Sequence, residues 1–126
     1  MPAKPVTKFE FQLLEKLWDL GPSSVREIQE ALPETDRPAY TTVQTMIYRL
    51  EVKGAVRRVK KVGNAHIFEA VLTRKTAHKR LIGDILQMFG GSPASVMSHL
   101  VETGKLTLAD IRAIEKELAK KEERSK

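Results

Sequence analysis

Residues 40–71 read YTTVQTMIYRLEVKGAVRRVKKVGNAHIFEAV, and this stretch decides the fold. Its first part has helical spacing, because a rotation of about 100° per residue brings Val43, Ile47 and Leu50 to one side of a helix. The helix is predicted to end near Lys53. The side chains on its outward face and flanks are Thr41, Thr42, Gln44, Thr45, Tyr48, Arg49 and Lys53.

The second part of the stretch changes period and predicts a β-hairpin. β-branched residues lie among charged ones over residues 55–62, Gly63-Asn64 is a typical turn, and residues 65–71 alternate between two faces. Ile67 and Phe68 are therefore expected on opposite faces of the second strand. The basic and polar side chains of the hairpin are Arg57, Arg58, Lys60, Lys61 and Asn64.

Two helices are predicted before this stretch. The quartets Thr7–Glu10 and Ser24–Glu27 both have capping-box spacing and predict helices over residues 8–20 and 25–32. Ser23 and Ser24 are accordingly interpreted as helix caps and not as catalytic nucleophiles.

Three further helices are predicted over residues 73–89, from 93 to 102 and from 108 onward, with a charged tail at residues 120–126 that frays. Their apolar stripes are wider than a small winged domain can cover. Pairing of two chains would bury these stripes, and an intramolecular three-helix cap is the alternative. The residues expected in the dimer contact are Leu81, Ile85, Leu108, Ile111, Ile114 and Leu118.

The order of elements predicts a mainly α fold with a small β-hairpin: a winged helix-turn-helix DNA-binding domain at residues 1–72 and a helical dimerisation domain at residues 73–126. The chain has 22 Lys+Arg and 16 Asp+Glu, a net charge of +6. Residues 49–80 alone hold ten basic and two acidic residues, which indicates a nucleic-acid or anionic-membrane partner. With the third helix in a major groove and the hairpin along the backbone, double-stranded DNA is the favoured partner.

Several functional classes are disfavoured by composition. The chain has no Cys, which removes disulfides, thiolate catalysis and Cys-ligated metal sites. Its three histidines, His66, His78 and His99, lack the spacing of metal ligands, so no metal, no cofactor and no enzymatic activity are expected. No apolar run approaches a membrane span and the N-terminus lacks the apolar core of a signal peptide, so a cytoplasmic location without membrane insertion is expected.

Several motifs resemble those of the BlaI/MecI family of penicillinase repressors over about residues 8–71. These motifs are Leu17-Trp18, GPSSVREI at residues 21–28, YTTVQT at residues 40–45, Arg49-Leu50, Lys53-Gly54 and Gly63. The resemblance implies a winged-helix first half, a second half that dimerises, and repression through operators with dyad symmetry. A DNA operator and a second copy of the chain are the partners that it implies.

The chain departs from this family at the wing and in the second half. Asn64 and Ala70 stand where the family usually has Arg and Pro. In the best-studied members a membrane sensor metallopeptidase triggers cleavage of an Asn-Phe bond, and His99-Leu100 occupies that place here. The resemblance makes such a peptidase a candidate partner. Because the Asn-Phe dipeptide is replaced, the sequence leaves open whether cleavage induces the response.

Two other functions compete with operator binding. In the first, the last helices bind another protein and the basic surface is incidental. In the second, the winged domain binds RNA, whose bases stack on exposed aromatic side chains. The hairpin offers only Phe68 for such stacking, so this alternative is the weaker one.

Overall fold

The computed structural model describes residues 6–125, and across that range it contains six helices and three strands. In chain order the elements are α1 (Lys8–Leu20), β1 (Ser23–Ser24), α2 (Val25–Ala31), α3 (Tyr40–Val52), β2 (Val56–Val62), β3 (Ala65–Ala70), α4 (Arg74–Met88), α5 (Pro93–Glu102) and α6 (Leu108–Arg124). The predicted fold class, mainly helical with a small β-hairpin, is confirmed. None of the described helices is long and apolar enough to cross a lipid bilayer.

Reciprocal hydrogen bonds set the beginnings of the first two helices. The Thr7 hydroxyl accepts from the amide of Glu10, and the Glu10 carboxylate accepts from the amide of Thr7. Ser24 and Glu27 form the same capping box at the start of α2. The helix starts predicted from these quartets are confirmed.

The last helix is longer than predicted. Fraying is expected from Lys120, but α6 continues to Arg124. The Lys, Glu and Arg residues in this segment favour helix, and the positive charges of Lys121 and Arg124 in the last turn stabilise the negative end of the helix dipole. The expectation of a frayed tail is therefore wrong for residues 120–124, and residue 126 lies outside the described residues.

The sheet contains a strand that the sequence pattern does not reveal. The strand order is β1-β3-β2, with antiparallel pairing throughout, and Ser23 lies opposite Phe68 while Ser24 lies opposite Ile67. A strand of two residues is too short to show a period, so the sequence reveals only the cap at Ser24. Ser24 is part of β1 and also caps α2.

The β2–β3 hairpin forms as predicted and is called the wing from here on. Gly63 has a φ of +59° at the first turn position, a conformation that glycine adopts without strain. The register is regular from the turn to the pair Lys60–Ile67 and then shifts by one residue. Val59 is therefore the extra residue of a β-bulge.

The hydrophobic core lies in the first of two compact units, which ends at Lys79. The Trp18 indole donates to the carbonyl of Leu72 at 2.9 Å, and Ala77 is 4% exposed and belongs to the same core. This unit therefore includes the first turns of α4, up to Lys79. Its buried cluster consists of Leu13, Leu14, Leu17, Val25, Ile28, Leu32, Val43, Ile47, Leu50, Ala55, Val56, Phe68, Leu72 and Ala77.

The second compact unit, which begins at Arg80, differs in its burial. No residue of α5 or α6 is buried, and Ala77 is the buried residue of α4. Phe89 and His99 make an edge-to-face ring contact with centroids 5.1 Å apart. Of the apolar side chains of these helices, Leu81, Leu108 and Leu118 are exposed, and Ile85 and Leu100 are half-buried.

Candidate nucleic-acid interface

The outward face of α3 is the one that helical spacing predicts. Val43, Ile47 and Leu50 have no exposed surface and anchor the opposite side of the helix in the core. Gln44 is half-buried. The exposed candidate residues of α3 are Thr41, Thr42, Thr45, Tyr48 and Arg49.

Hydrogen bonds along α3 orient part of this face. Oγ1 of Thr45 donates to the carbonyl of Thr41 at 2.9 Å, which leaves the hydroxyl lone pairs and the methyl group accessible. Nε2 of Gln44 donates to the Tyr48 hydroxyl at 3.2 Å. Within residues 6–125, no carboxylate lies within ion-pair distance of Arg49. Its guanidinium is therefore available to a guanine edge or a phosphate.

Lys53 has a more enclosed environment than the other candidates. Its Nζ lies 2.6 Å from Oε1 of Glu10, and the two side chains are 14% and 1% exposed. Because Lys53 is the C-cap of α3 and Glu10 lies in the first turn of α1, this bond ties the two helices together. The structure thus gives Lys53 a role in the fold that the sequence does not suggest.

Burial and bonding act in opposite directions on the pKa of Glu10. Burial raises the pKa of this carboxyl, but hydrogen bonds from Lys53 and Thr7 and the charge of Lys53 lower it, and the resulting pKa lies below its ordinary value. Glu10 is therefore ionised at neutral pH. Its other oxygen, Oε2, is buried without a hydrogen-bond partner among the described residues. Lys53 and Thr7 thus together compensate the buried charge, and the hydrogen bond from Lys53 is the largest of the effects that lower the pKa.

The basic residues of the wing fall into two groups. Arg57 is paired with Glu69 across the hairpin, and Arg58 is paired with Glu51 at the end of α3. The dipeptide Lys60-Lys61 is exposed, and no carboxylate in the described part of the chain is within ion-pair distance of it. Cations without a protein partner gain most from neutralising phosphates, so the lysines are the stronger candidates for backbone contact.

An open cleft of about 430 Å³ lies between α3 and the wing. At one side of the cleft, the guanidinium carbon of Arg26 lies 5.2 Å from the centre of the Tyr40 ring. Its polar lining residues are Ser24, Arg26, Tyr40, Gln44, Tyr48, Asn64 and His66. Tyr40, Gln44 and Tyr48 are spaced four residues apart, so helical spacing predicts that they lie along one side of α3. Arg26 comes from α2 and His66 from β3, so no local pattern in the sequence predicts that both line this cleft.

Within residues 6–125, no cluster of three or more His, Cys, Asp or Glu side chains could hold a metal ion. His66 lies in the cleft beside Asn64. His78 stacks on Phe11 with ring centroids 5.7 Å apart. These surroundings are aromatic or open, and they do not form a set of metal ligands.

The sequence matches one protein family, and ten chains of solved structures are similar to this chain, among them the two described below. The sequence profile of the penicillinase repressor family matches residues 6–120. A MarR family protein from Bacillus stearothermophilus is 21% identical, with a TM-score of 0.47 over 98% of this chain and 78% of that chain. BpsR from Bordetella bronchiseptica, whose DNA binding is regulated by 6-hydroxynicotinic acid, is 20% identical, with a TM-score of 0.45 over 98% of this chain and 79% of that chain. No curated protein matches the sequence.

Proposed function

Since this chain belongs to the penicillinase repressor family of DNA-binding transcriptional regulators, we propose that it acts as a homodimer on an operator with dyad symmetry. In this proposal each copy inserts α3 into a major groove and lays its wing along the adjacent backbone. The observation that carries the proposal is the exposed polar face of α3, which lies beside a wing whose lysines have no carboxylate partner in residues 6–125.

The proposed contacts have different tasks. Thr45 and Arg49 would read base edges, because they lie opposite the buried side of α3 and offer a methyl group, a hydroxyl and a guanidinium fork. Contacts to phosphates would fix the register without carrying sequence information. The residues proposed for the remaining DNA contacts are Thr41, Thr42, Gln44, Tyr48, Lys60, Lys61 and Asn64, with Arg57 at the edge of the wing.

The wing lysines should set the salt dependence of binding. A protein that neutralises Z phosphates shows a slope of log affinity against log salt of about −0.9Z. Each substitution removes a contact from both copies of the proposed dimer, so Lys60→Ala and Lys61→Ala should each flatten the slope by about 2. Affinity should fall equally for operator and random duplex, measured by fluorescence anisotropy at several salt concentrations. Lys116→Ala, an exposed change on α6, is the control. Unchanged slopes in both wing variants would remove the wing from the interface.

The α3 variants should instead change which sequence is preferred. Arg49→Ala should cost about 1–3 kcal/mol of discrimination if the guanidinium pairs with a guanine. Thr45→Ala should relax base preference more than it lowers affinity for random DNA. Selection of binding sites from randomised duplexes measures both effects, with Arg112→Ala on α6 as the control. A selected sequence identical to that of the parent protein would show that neither side chain reads a base.

Six apolar side chains of the second unit, which are exposed except for the half-buried Ile85, support the proposed homodimer. The proposed contact residues are Leu81, Ile85, Leu108, Ile111, Ile114 and Leu118, of which Leu108 is 63% exposed and Leu118 is 54% exposed in the single chain. A second copy of the same helices would cover these side chains by a two-fold contact. Two linked half-sites then supply the affinity that one helix-turn-helix lacks, with a spacing of about one helical turn of DNA.

The competing functions receive less support. Phe68, the aromatic residue on which an RNA base would stack, has no exposed surface, so the wing offers no such platform. A protein-interaction module with an incidental basic surface would bind DNA without sequence preference, and the site selection described above distinguishes it.

A sensor metallopeptidase remains a proposed partner. The bond at His99-Leu100 lies inside α5, and the side chain of Leu100 is half-buried. A peptidase needs an extended substrate, so cleavage at this place would require local opening of that helix. Exposure of the purified repressor to a metallopeptidase encoded next to its gene, followed by mass analysis of fragments, tests this partner.

A further inference from the structure

Arg58 makes contacts with both parts of the proposed DNA-binding surface. Its Nε donates to Oε2 of Glu51, in the last turn of α3, at 2.9 Å. Its guanidinium carbon lies 5.0 Å from the centre of the Tyr48 ring and 5.5 Å from the centre of the Phe68 ring. One side chain of β2 therefore contacts α3 twice and β3 once.

We infer that Arg58 is a positioning residue, which fixes the side chains of α3 relative to the wing and does not bind a DNA phosphate. This inference rests on the proposed function, because it concerns the orientation of residues that are proposed to touch DNA. It replaces the simpler interpretation in which Arg58 is one of several cations that contact the DNA backbone.

The first argument is electrostatic. The charge of Arg58 is opposed by Glu51 within the protein, and the two side chains are 38% and 31% exposed. A cation that is already paired must lose its partner, or share it, before it can neutralise a phosphate. Lys60-Lys61, two residues farther along the wing, has no such competitor in residues 6–125.

The second argument is the reach of these contacts along α3. The Tyr48 ring lies between the Arg58 guanidinium and the amide of Gln44, which donates to the Tyr48 hydroxyl at 3.2 Å. A change at Arg58 is therefore transmitted to two side chains that line the cleft. A lysine cannot reproduce this arrangement, because an ammonium group has neither the planar surface that stacks on a ring nor the fork that holds a carboxylate.

The third argument is the place of the β-bulge. A two-residue turn with regular pairing from Val62–Ala65 would put Arg58 opposite Glu69. The bulge at Val59 instead puts Arg57 opposite Glu69 and Arg58 opposite Phe68, on the side of the sheet that contacts Tyr48. The inserted residue thus brings Arg58 to α3.

The decisive variant is Arg58→Lys, which keeps the charge and removes the stack and the fork. We expect about a tenfold loss in the ratio of operator to random-duplex affinity, as for a misplaced base contact, with the salt slope unchanged. Lys60→Ala should do the opposite: its affinity ratio stays constant and its salt slope flattens by about 2, because both copies of the dimer lose the contact. Duplexes selected by the parent protein serve as the operator, and anisotropy titrations over a salt series measure both quantities.

Glu51→Gln provides the second variant, since it leaves Arg58 in place and weakens the bond to α3. It should lower the affinity ratio in the same direction, and the double variant with Arg58→Lys should lose less than the two single losses combined. If Arg58→Lys keeps the parental ratio, the inference is wrong, and a slope flattened by Arg58→Gln would then make Arg58 a phosphate ligand. If the parent protein selects no preferred duplex, the proposed function itself fails.

Discussion

The double variant Ile111→Asp/Ile114→Asp should sediment as a monomer and bind operator about 100-fold more weakly than the parent protein, because linked half-sites commonly gain two to four orders of magnitude in affinity. The two side chains are 37% and 47% exposed in the single chain, so aspartate is tolerated there before assembly. In the proposed two-fold contact, however, each aspartate would be a buried charge without a partner. Sedimentation velocity at micromolar concentration and anisotropy on a dyad operator measure the two effects.

A control with the same change in net charge separates assembly from electrostatics. Lys116→Gln/Lys120→Gln lowers the net charge of each chain by two, as the aspartates do, and helical spacing puts both lysines on the side of α6 away from Ile111. This control should remain dimeric and lose only the small affinity that a change in overall charge produces. A parent protein that is monomeric and still prefers dyad DNA would eliminate the proposed role of the last three helices.

Lys53→Met should lower the free energy of unfolding by about 3–5 kcal/mol at neutral pH, because removing one partner of a buried ion pair leaves the other charge uncompensated. The carboxylate that remains is Glu10, which is 1% exposed and already has one oxygen without a partner among the described residues. The double variant Glu10→Gln/Lys53→Met should recover much of the loss, since it buries no charge. Urea unfolding followed by circular dichroism measures all three proteins.

The same pair predicts a pH dependence of stability. The pKa of Glu10 is below its ordinary value of 4.5 in the folded protein, so its stabilising contribution is complete above that value and is lost as the pH falls through the folded pKa. In Lys53→Met, burial without the lysine raises the pKa of Glu10, and protonation then relieves the buried charge. The stability difference between parent and variant should therefore shrink in acid. Equal stabilities at neutral pH would contradict this account.

Local patterns in the sequence predict a large part of the fold. The capping box at Thr7 and the buried spacing of Val43 and Ile47 depend on neighbours within one helix, and the structure has both. The outward face of α3 follows from the same spacing. These features are local because a helix repeats within a few residues, so a single stretch of sequence holds all the information needed to identify them.

Contacts between residues that are far apart in the sequence are harder to predict from it. Glu10 and Lys53 are 43 residues apart, and nothing in either neighbourhood indicates their meeting. The bulge at Val59 leaves no turn residue or glycine as a marker, yet it decides which arginine faces Glu69. Charge counting therefore treats the four cations of β2 as equivalent, whereas the structure divides them into paired arginines and uncompensated lysines.

The bulge at Val59 also separates two evolutionary constraints within one strand. Before the bulge, Arg57 and Arg58 each form an ion pair with one carboxylate of the same chain. A change that removes one of these arginines should therefore be accompanied by a change that removes its acidic partner. Beyond the bulge, Lys60-Lys61 has no carboxylate partner in residues 6–125, so in the proposed function its charge serves DNA alone. On that proposal, the tip of the wing can change in charge and length during evolution without disturbing the ion pairs of the two arginines.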